Sequence, residues 1–110
     1  MTSFSLIFAP LLDALRSGSL RITEHAVEAM HDDALFLNEV ITSALTAGEI
    51  LEDYPDDHPF PSCLVLGRTP TGDAVHSVWA YNARSRTAIL ITCYRPDPDR
   101  WIDFRVRKKP

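Results

Sequence analysis

The sequence predicts an α+β fold in which N-terminal helices pack on one face of a four-stranded, mainly antiparallel sheet. Up to Gly48 the apolar residues recur at helical spacing, and after Gly48 they alternate in short runs separated by turn residues. Helices that precede strands in this way favour separate layers rather than alternating βα units. With 110 residues, of which 45% are hydrophobic, the chain is predicted to form one domain over residues 1–110.

Each predicted helix has a start or stop signal. The first runs from about Phe4 to Ser17 and ends at Gly18, a residue type common at helix C-termini. Thr23 is the predicted N-cap of the second helix, because its hydroxyl can accept a bond from a free backbone N–H group. The third helix covers about 35–47 and is closed by Gly48. The helical part therefore spans about residues 4–47.

The predicted sheet occupies about residues 49–95. Its first strand, EILEDY, is an edge strand followed by the loop PDDHPFP, whose three prolines cannot sustain a ladder. The remaining strands, SCLVLGRT, AVHSVWAYN and TAILITCYR, are joined by short turns and form a meander. Residues 96–110 are predicted to form a short helical turn and then a basic tail.

The charges divide unevenly along the chain, although the net charge is only −4. Residues 1–60 hold eleven acidic and two basic side chains, whereas residues 61–110 hold four acidic and nine basic ones. The basic half could attract a polyanion such as RNA. Alternatively, the two halves neutralise each other within the fold, and the sequence does not choose between these interpretations.

The protein is predicted to be cytoplasmic, with no membrane segment. Two cysteines, Cys63 and Cys93, are too few for a disulfide framework, which favours a reducing compartment. The apolar stretch FSLIFAPLLDAL is interrupted by Pro10 and Asp13 and has no basic leader. It is predicted to be an amphipathic helix rather than a signal peptide or a membrane span.

His25 is the first candidate for chemistry. As the second residue of a helix capped by Thr23, it lies where the positive end of the helix dipole disfavours protonation. A neutral imidazole is what a general base requires. The alternative is a half-buried histidine that only bonds to a neighbour.

His76 lies in the middle of an otherwise apolar strand, and the register of the following hairpin decides its neighbours. If paired residue numbers sum to an even number, His76 shares a face with Thr92 and Tyr94, one residue before Arg95. If the sum is odd, it faces Cys93 and belongs to the core. The first register predicts a site, and the second predicts a buried structural histidine.

No metal or other cofactor is predicted. The acids and histidines that cluster in the sequence match neither a calcium loop nor the HExxH or CxxC patterns of zinc sites; they are His31, Glu52, Asp53, Asp56, Asp57 and His58. The acids are interpreted as a solvated turn. Cys93, inside a strand, is interpreted as a small apolar filler rather than a nucleophile.

The C-terminal segment supplies most of the cations. They are Arg95, Arg100, Arg105, Arg107, Lys108 and Lys109. Trp101 and Phe104 are interleaved with them, and aromatic rings in such a setting can stack on bases. Equally, the two rings could dock the tail onto the sheet while the basic groups stay solvated.

Six motifs, taken together in their order and spacing, resemble an uncharacterised bacterial domain family of unknown function. They are ITEHAVEAM, GEILEDYPDD, SCLVLG, VHSVWA, ILITCYRPDPDRW and FRVRK, which cover about residues 22–108. The family pattern has an arginine at the position that Ala29 holds here. This chain therefore lacks one cation of that pattern.

That family is similar to the RelE-like ribonuclease toxins of type II toxin–antitoxin systems. The resemblance implies helices on a curved antiparallel sheet, RNA cleavage without a metal, and a cognate antitoxin protein that covers the active face. The residues that the resemblance implicates are His25, His76 and Tyr94 in catalysis, and Arg95, Arg107 and Lys108 in binding RNA phosphates.

The sequence therefore predicts a metal-independent endoribonuclease toxin that cleaves RNA by attack of the ribose 2′-OH. His25 and His76 would be base and acid, in either order, with Tyr94 as a hydroxyl donor. The predicted partners are RNA and an antitoxin, and a homodimer is left open. The main alternative is a non-catalytic module that docks a DNA-binding or regulatory partner through the acidic half. A third, weaker alternative is a metal-dependent hydrolase using both histidines and the acids near Asp56.

Overall fold

The computed structural model describes residues 5–109, in which three helices and seven strands are defined. In chain order these elements are α1 (Phe8–Ser17), β1 (Leu20–Ile22), α2 (Glu24–Asp32), α3 (Leu37–Leu45), β2 (Glu49–Tyr54), β3 (Ser62–Arg68), β4 (Ala74–Asn82), β5 (Thr87–Tyr94), β6 (Trp101–Ile102) and β7 (Val106–Arg107). The α+β class is confirmed, with the helices preceding the main strands.

The main sheet has five strands in the order β1-β5-β4-β3-β2, so the prediction of four strands is wrong. The fifth strand is β1, which pairs in parallel with β5, while the other pairs are antiparallel. β1 has only three residues, and its partner lies far along the chain, so no hairpin signal marks it. Ile22, directly before the predicted N-cap Thr23, is the last residue of this strand.

The helix caps follow the predicted chemistry. Gly18 ends α1 in the left-handed conformation, with φ of 77°. The hydroxyl oxygen of Thr23 accepts a hydrogen bond from the Ala26 N–H group at 3.0 Å, which confirms Thr23 as the N-cap of α2. The predicted start of the first helix at Phe4 lies outside the described residues. α3 is two residues shorter at each end than predicted.

The main core lies between the helices and one face of the sheet. Its members come from all three helices and from every strand between β2 and β5; the largest fully buried side chains among them are Leu11, Val40, Val65, Trp79 and Leu90. Gly67 allows α3 to approach β3 closely, because a Cβ atom at Gly67 would lie 2.2 Å from the carbonyl oxygen of Ser43. No helix of the described residues packs on the opposite face of the sheet, which we call the helix-free face.

Residues 96–109 do not form a free tail. After a helical turn, in which the Trp101 N–H group donates to the Asp97 carbonyl at 3.1 Å, β6 and β7 form a hairpin. Residues 103–105 connect the two strands, and the β-turn closed by the bond from the Arg105 N–H group to the Ile102 carbonyl has φ of 52° and 59° at its central residues, Asp103 and Phe104. We call residues 101–107 the C-terminal hairpin, and it packs on the helix-free face.

Among the described residues, no helix combines the length and the apolar character needed to cross a membrane.

Candidate functional site

The hairpin of β4 and β5 contains a β-bulge, and both of the predicted registers occur in it. On the His76 side of the bulge, His76 pairs with Tyr94 and Val78 with Thr92, so the sums are even. On the other side, Trp79 pairs with Leu90, and the sum is odd. The extra residue of the bulge allows each strand to keep its apolar side chains in the core on both sides of the irregularity. His76 and Tyr94 consequently share the helix-free face.

His76 is fully buried on this face, and both of its ring nitrogens have partners. Nε2 lies 2.7 Å from the Phe104 carbonyl oxygen, and Nδ1 lies 3.1 Å from the Tyr94 hydroxyl. Because a carbonyl oxygen can only accept, Nε2 must carry a hydrogen. In the neutral ring Nδ1 is then an acceptor, so the Tyr94 hydroxyl donates its proton to His76. His76 is therefore buried, yet connected to the groove through Tyr94.

Burial shifts both groups toward their neutral forms. It lowers the pKa of His76 below its ordinary value of 6.5, although the Phe104 carbonyl and the charge of Glu52 act in the opposite direction. Burial also raises the pKa of Tyr94 above its ordinary value of 10.0. At neutral pH a neutral imidazole thus accepts a hydrogen bond from a protonated phenol.

Glu52 and Tyr54 of β2 lie on the same face, as residues two apart in a strand must. Glu52 accepts hydrogen bonds from Arg107 Nε at 2.8 Å, from Arg107 Nη2 at 3.1 Å and from the Tyr54 hydroxyl at 2.5 Å. These bonds, with that from Arg107 the strongest influence, lower the pKa of Glu52 below 4.5 despite its partial burial. The Arg107 guanidinium also lies 4.7 Å above the centre of the Trp101 ring.

Trp101 lies between His76 and Arg107 and contacts both. It is 6% exposed, and its ring meets that of His76 edge-to-face with the centres 4.5 Å apart. The C-terminal hairpin is thus held to the sheet by the His76 bond to the Phe104 carbonyl, by the ion pair of Arg107 with Glu52, and by a second ion pair of Arg105 with Glu49 at 2.9 Å.

A groove of about 880 Å³ opens between the C-terminal hairpin and the ends of β4 and β5. Its floor is apolar and aromatic, and its walls carry five cations and two acids; the lining residues are Val78, Thr92, Tyr94, Arg95, Asp97, Asp99, Arg100, Trp101, Arg107, Lys108 and Lys109. The volume falls in the usual range of small-molecule sites. Tyr94 therefore shares this groove with more cations than acids.

The model of one protein family, described as Domain of unknown function (DUF4258), matches residues 22–95 of the chain. The chain belongs to this family. No curated protein and no solved structure matches the chain. The DUF4258 match includes Glu52, Tyr54, His76 and Tyr94, whereas Arg107 and the rest of the C-terminal hairpin lie beyond it.

The structure brings four of the six predicted site residues of this DUF4258 chain to the groove. Tyr94, Arg95, Arg107 and Lys108 line it. His76 lies beneath it, in contact with Tyr94. His25 is exposed on α2, whose buried residues face the main core on the other side of the sheet, so no hydrogen bond joins it to His76 or to Tyr94.

Arg95 has a structural task as well as a place in the groove. Its Nε and Nη2 atoms donate to the carbonyl oxygens of Asp33 at 2.9 Å and of Ala34 at 3.2 Å, and its backbone N–H group donates to the Asp33 carboxylate at 2.7 Å. Arg95 thereby ties the end of β5 to the turn between α2 and α3. Its guanidinium is therefore less free to follow a ligand than the side chain of Arg100, which makes no ion pair among the described residues.

The sequence argument did not place Glu52, Tyr54 or Trp101 in the site. Glu52 was interpreted as part of a solvated turn, but the alternation in EILEDY places it and Tyr54 on one face of a strand. That alternation was the available signal. Trp101 was left between two interpretations, and the structure supports docking on the sheet, with Arg107 lying over its outer side.

Both cysteines have surroundings that disfavour the thiolate form. Cys63 and Cys93 are buried in the main core, and burial raises the pKa of Cys63 to about 12 and that of Cys93 to about 11. Both remain thiols at neutral pH, as fillers do. Within residues 5–109, no group of three or more histidine, cysteine or acidic side chains could hold a metal ion.

The lowered pKa of His76 predicts a specific dependence of stability on pH. In the unfolded chain His76 gains a proton as pH falls through about 6.5, whereas burial keeps it neutral in the fold, so the unfolded state binds more protons. The contribution of His76 to the free energy of unfolding should therefore be fully present above pH 6.5 and should be lost as pH falls toward the lowered pKa. Urea unfolding of the native chain and of His76→Gln across this range measures the effect. Equal pH slopes for the two proteins would contradict it.

Proposed function

We propose that this protein is a metal-independent ribonuclease that cleaves RNA by attack of a ribose 2′-OH on the adjacent phosphate. The observation that carries the proposal is Tyr94, which lines a groove rich in cations and whose hydroxyl donates its proton to a buried, neutral histidine. A phenol held in this way has its oxygen lone pairs free to receive another proton. The arrangement is that of a base reached through a relay.

The first chemical step follows from the direction of these hydrogen bonds. Tyr94 Oη takes the proton of the 2′-OH while its own proton passes to Nδ1 of His76. The resulting imidazolium keeps its Nε2–H bond to the Phe104 carbonyl, and the nearby Glu52 carboxylate stabilises its charge. The 2′-oxygen forms a bond to phosphorus, and the bond from phosphorus to the 5′-oxygen breaks.

The cations of the groove stabilise the negative charge that develops on the phosphorane oxygens. Arg100 and Lys108, which line the same groove as Tyr94, are proposed for this task, and Arg107 is proposed to bind the RNA. The 5′-oxygen takes its proton from a water molecule, and the hydroxide that remains is neutralised when His76 gives its proton back through Tyr94. The products are a 2′,3′-cyclic phosphate and a free 5′-hydroxyl.

This mechanism differs from the paired-histidine scheme in using one histidine. His25 is on the helical side of the sheet, and in our proposal it takes no part in proton transfer. The resemblance of the sequence motifs to RelE-like toxins motivates the proposal, because a metal-independent nuclease of that class needs positioned side chains rather than an ion. RNA and a cognate antitoxin protein are the proposed partners.

The test is to incubate the purified chain with single-stranded RNA in the presence of a chelator. We expect cleavage to 2′,3′-cyclic phosphate ends, no cleavage of 2′-O-methyl RNA, and unchanged rates for His25→Ala. Loss of cleavage on adding the chelator would replace this mechanism by the metal-dependent one. A His25→Ala rate reduced to that of a Tyr94 variant would restore the paired-histidine scheme.

A second candidate function is the non-catalytic docking module. It is favoured by one observation, which is that His76 is fully buried with both nitrogens occupied, as in a purely structural histidine. The helical side also exposes Val27 and Phe36 beside acidic residues, as a surface for a basic partner would. Intact RNA under all the conditions above would favour this function.

A further inference from the structure

We propose that the groove selects single-stranded RNA by stacking an unpaired base on the guanidinium of Arg107, with Trp101 as the support beneath it. This inference rests on the proposed function, in that RNA is the ligand, but it concerns recognition and not cleavage. It assigns different tasks to the cations of the groove, one of which reads a base while others hold phosphates.

The Arg107 guanidinium is fixed on two sides. Its Nε and Nη2 atoms bond to Glu52, and its central carbon lies 4.7 Å from the centre of the Trp101 ring. The side chain nevertheless remains 63% exposed, and it lines the groove. Bases stack on arginine guanidinium planes in many RNA complexes, so a fixed, exposed plane of this kind is suited to a base.

Trp101 cannot perform this task itself. It is 6% exposed, since the His76 ring meets it at 4.5 Å on one side and Arg107 lies over its face. What Trp101 supplies is rigidity, because a cation resting on an indole ring gains cation–π energy and loses little freedom on binding. The stacking surface is thus assembled from β2, β6 and β7.

Three other cations in the groove are suited to phosphates. Among the described residues, Arg100, Lys108 and Lys109 make no ion pair, although Asp97 and Asp99 share the lining. The Lys108 N–H group bonds to the Arg100 carbonyl at 2.8 Å, which keeps these two residues side by side. Unpaired cations contribute salt-dependent affinity for the phosphates of single strands and duplexes alike, with no need for an exposed base.

Duplex RNA cannot use the Arg107 surface. Its bases are stacked on one another, and its deep major groove does not admit side chains. A duplex could reach the free cations but would offer no base face to Arg107. The preference for single strands should therefore depend on the planar group at position 107 and not on its charge.

The experiment uses the full chain with 2′-O-methyl RNA, which cannot be cleaved by the proposed chemistry, as a single strand and as a duplex of equal length. Binding is followed by tryptophan emission, because Trp79 is buried in the main core and Trp101 lies under Arg107. We expect the single strand to bind more tightly and to change the emission. In Trp101→Phe the emission change should disappear.

Arg107→Lys keeps the charge but removes the plane. We expect it to weaken single-strand binding about tenfold, as loss of one stacked base would, and to bring the single-strand and duplex affinities together. Lys108→Ala should instead lower the salt dependence by roughly 0.7 in the logarithmic slope and leave the preference intact.

An unchanged preference in Arg107→Lys would overturn the inference, and so would equal binding of both RNAs by the native chain or binding of neither. Failure of the proposed function is distinguishable, because cleavage is measured on unmodified RNA and binding on RNA that cannot be cleaved. If the chain binds the single strand but does not cleave RNA, the proposed stacking surface stands and the proposed nuclease function fails.

Discussion

Replacing Tyr94 with phenylalanine is expected to reduce RNA cleavage about 10²- to 10⁴-fold, the usual contribution of a positioned acid–base group. The phenylalanine ring occupies the same space but has no oxygen to receive the 2′-OH proton or to pass one to His76. Nδ1 of His76 would lose its hydrogen-bond donor, at a cost of about 1 kcal/mol in stability. Affinity for 2′-O-methyl RNA should change little. Single-turnover cleavage of unmodified RNA, with binding measured separately, checks the prediction.

The chain supplies matched controls in its two other tyrosines. Tyr54 lies on the same face but donates to Glu52, and Tyr81 is buried in the main core. Tyr54→Phe removes a support of Glu52 and should weaken binding without removing the relay. Tyr81→Phe should leave cleavage at the native rate. If all three variants cut RNA at one rate, Tyr94 is not the base, and the proposed mechanism fails.

The parts of the fold that the sequence predicts well are those decided by local chemistry. The N-cap at Thr23 and the stop at Gly18 each depend on one residue and its immediate neighbours. The strand AVHSVWAYN has the predicted limits, because turn residues bound it on both sides. β1 was missed for the opposite reason, since only its distant partner β5 makes it a strand.

The register of the β4–β5 hairpin shows why the site could not be fully derived. The alternatives were an even register, which predicts a site, and an odd register, which predicts a core. A bulge lets the strands adopt both, so that Tyr94 meets His76 while Trp79 and Leu90 stay in the core. Apolar alternation along a strand gives its average pattern, whereas a bulge depends on packing between layers.

The charge asymmetry of the sequence has a similar resolution. Within the described residues, neutralisation inside the fold accounts for part of the charge, and attraction of a polyanion stays a prediction. Arg105 and Arg107 neutralise Glu49 and Glu52 across more than fifty positions of sequence, whereas cations such as Lys108 stay unpaired in the groove. Counting charges cannot separate the two sets, because the separation depends on how the C-terminal hairpin docks on the sheet.

Replacing His76 separates its two possible tasks, because glutamine and asparagine each imitate one ring nitrogen. The glutamine amide nitrogen is as many bonds from Cα as Nε2, so His76→Gln can still donate to the Phe104 carbonyl. The asparagine oxygen is as many bonds from Cα as Nδ1, so His76→Asn can still accept from Tyr94. Neither amide takes up a proton at neutral pH.

We therefore expect cleavage to fall in both variants, toward the level of Tyr94→Phe, because the proton from Tyr94 has no acceptor. Stability should separate them. His76→Asn loses the bond to the Phe104 carbonyl and the ring contact with Trp101, which should cost about 2–4 kcal/mol, whereas His76→Gln keeps the bond and should lose less. Urea unfolding and amide exchange in residues 101–107 measure this difference.

The cleavage rate of His76→Asn decides between a relay and a merely oriented tyrosine. A rate close to native would mean that His76 only directs the Tyr94 hydroxyl, since an amide oxygen can accept a hydrogen bond but not a proton. The imidazole would instead be the final acceptor of the proton under two conditions. The cleavage rate of the native chain must decrease as pH is lowered toward the lowered pKa of His76, and His76→Asn must be inactive. We expect the second result, because burial favours the neutral form of His76, and the bond of Nε2 to the Phe104 carbonyl leaves Nδ1 to accept from the Tyr94 hydroxyl.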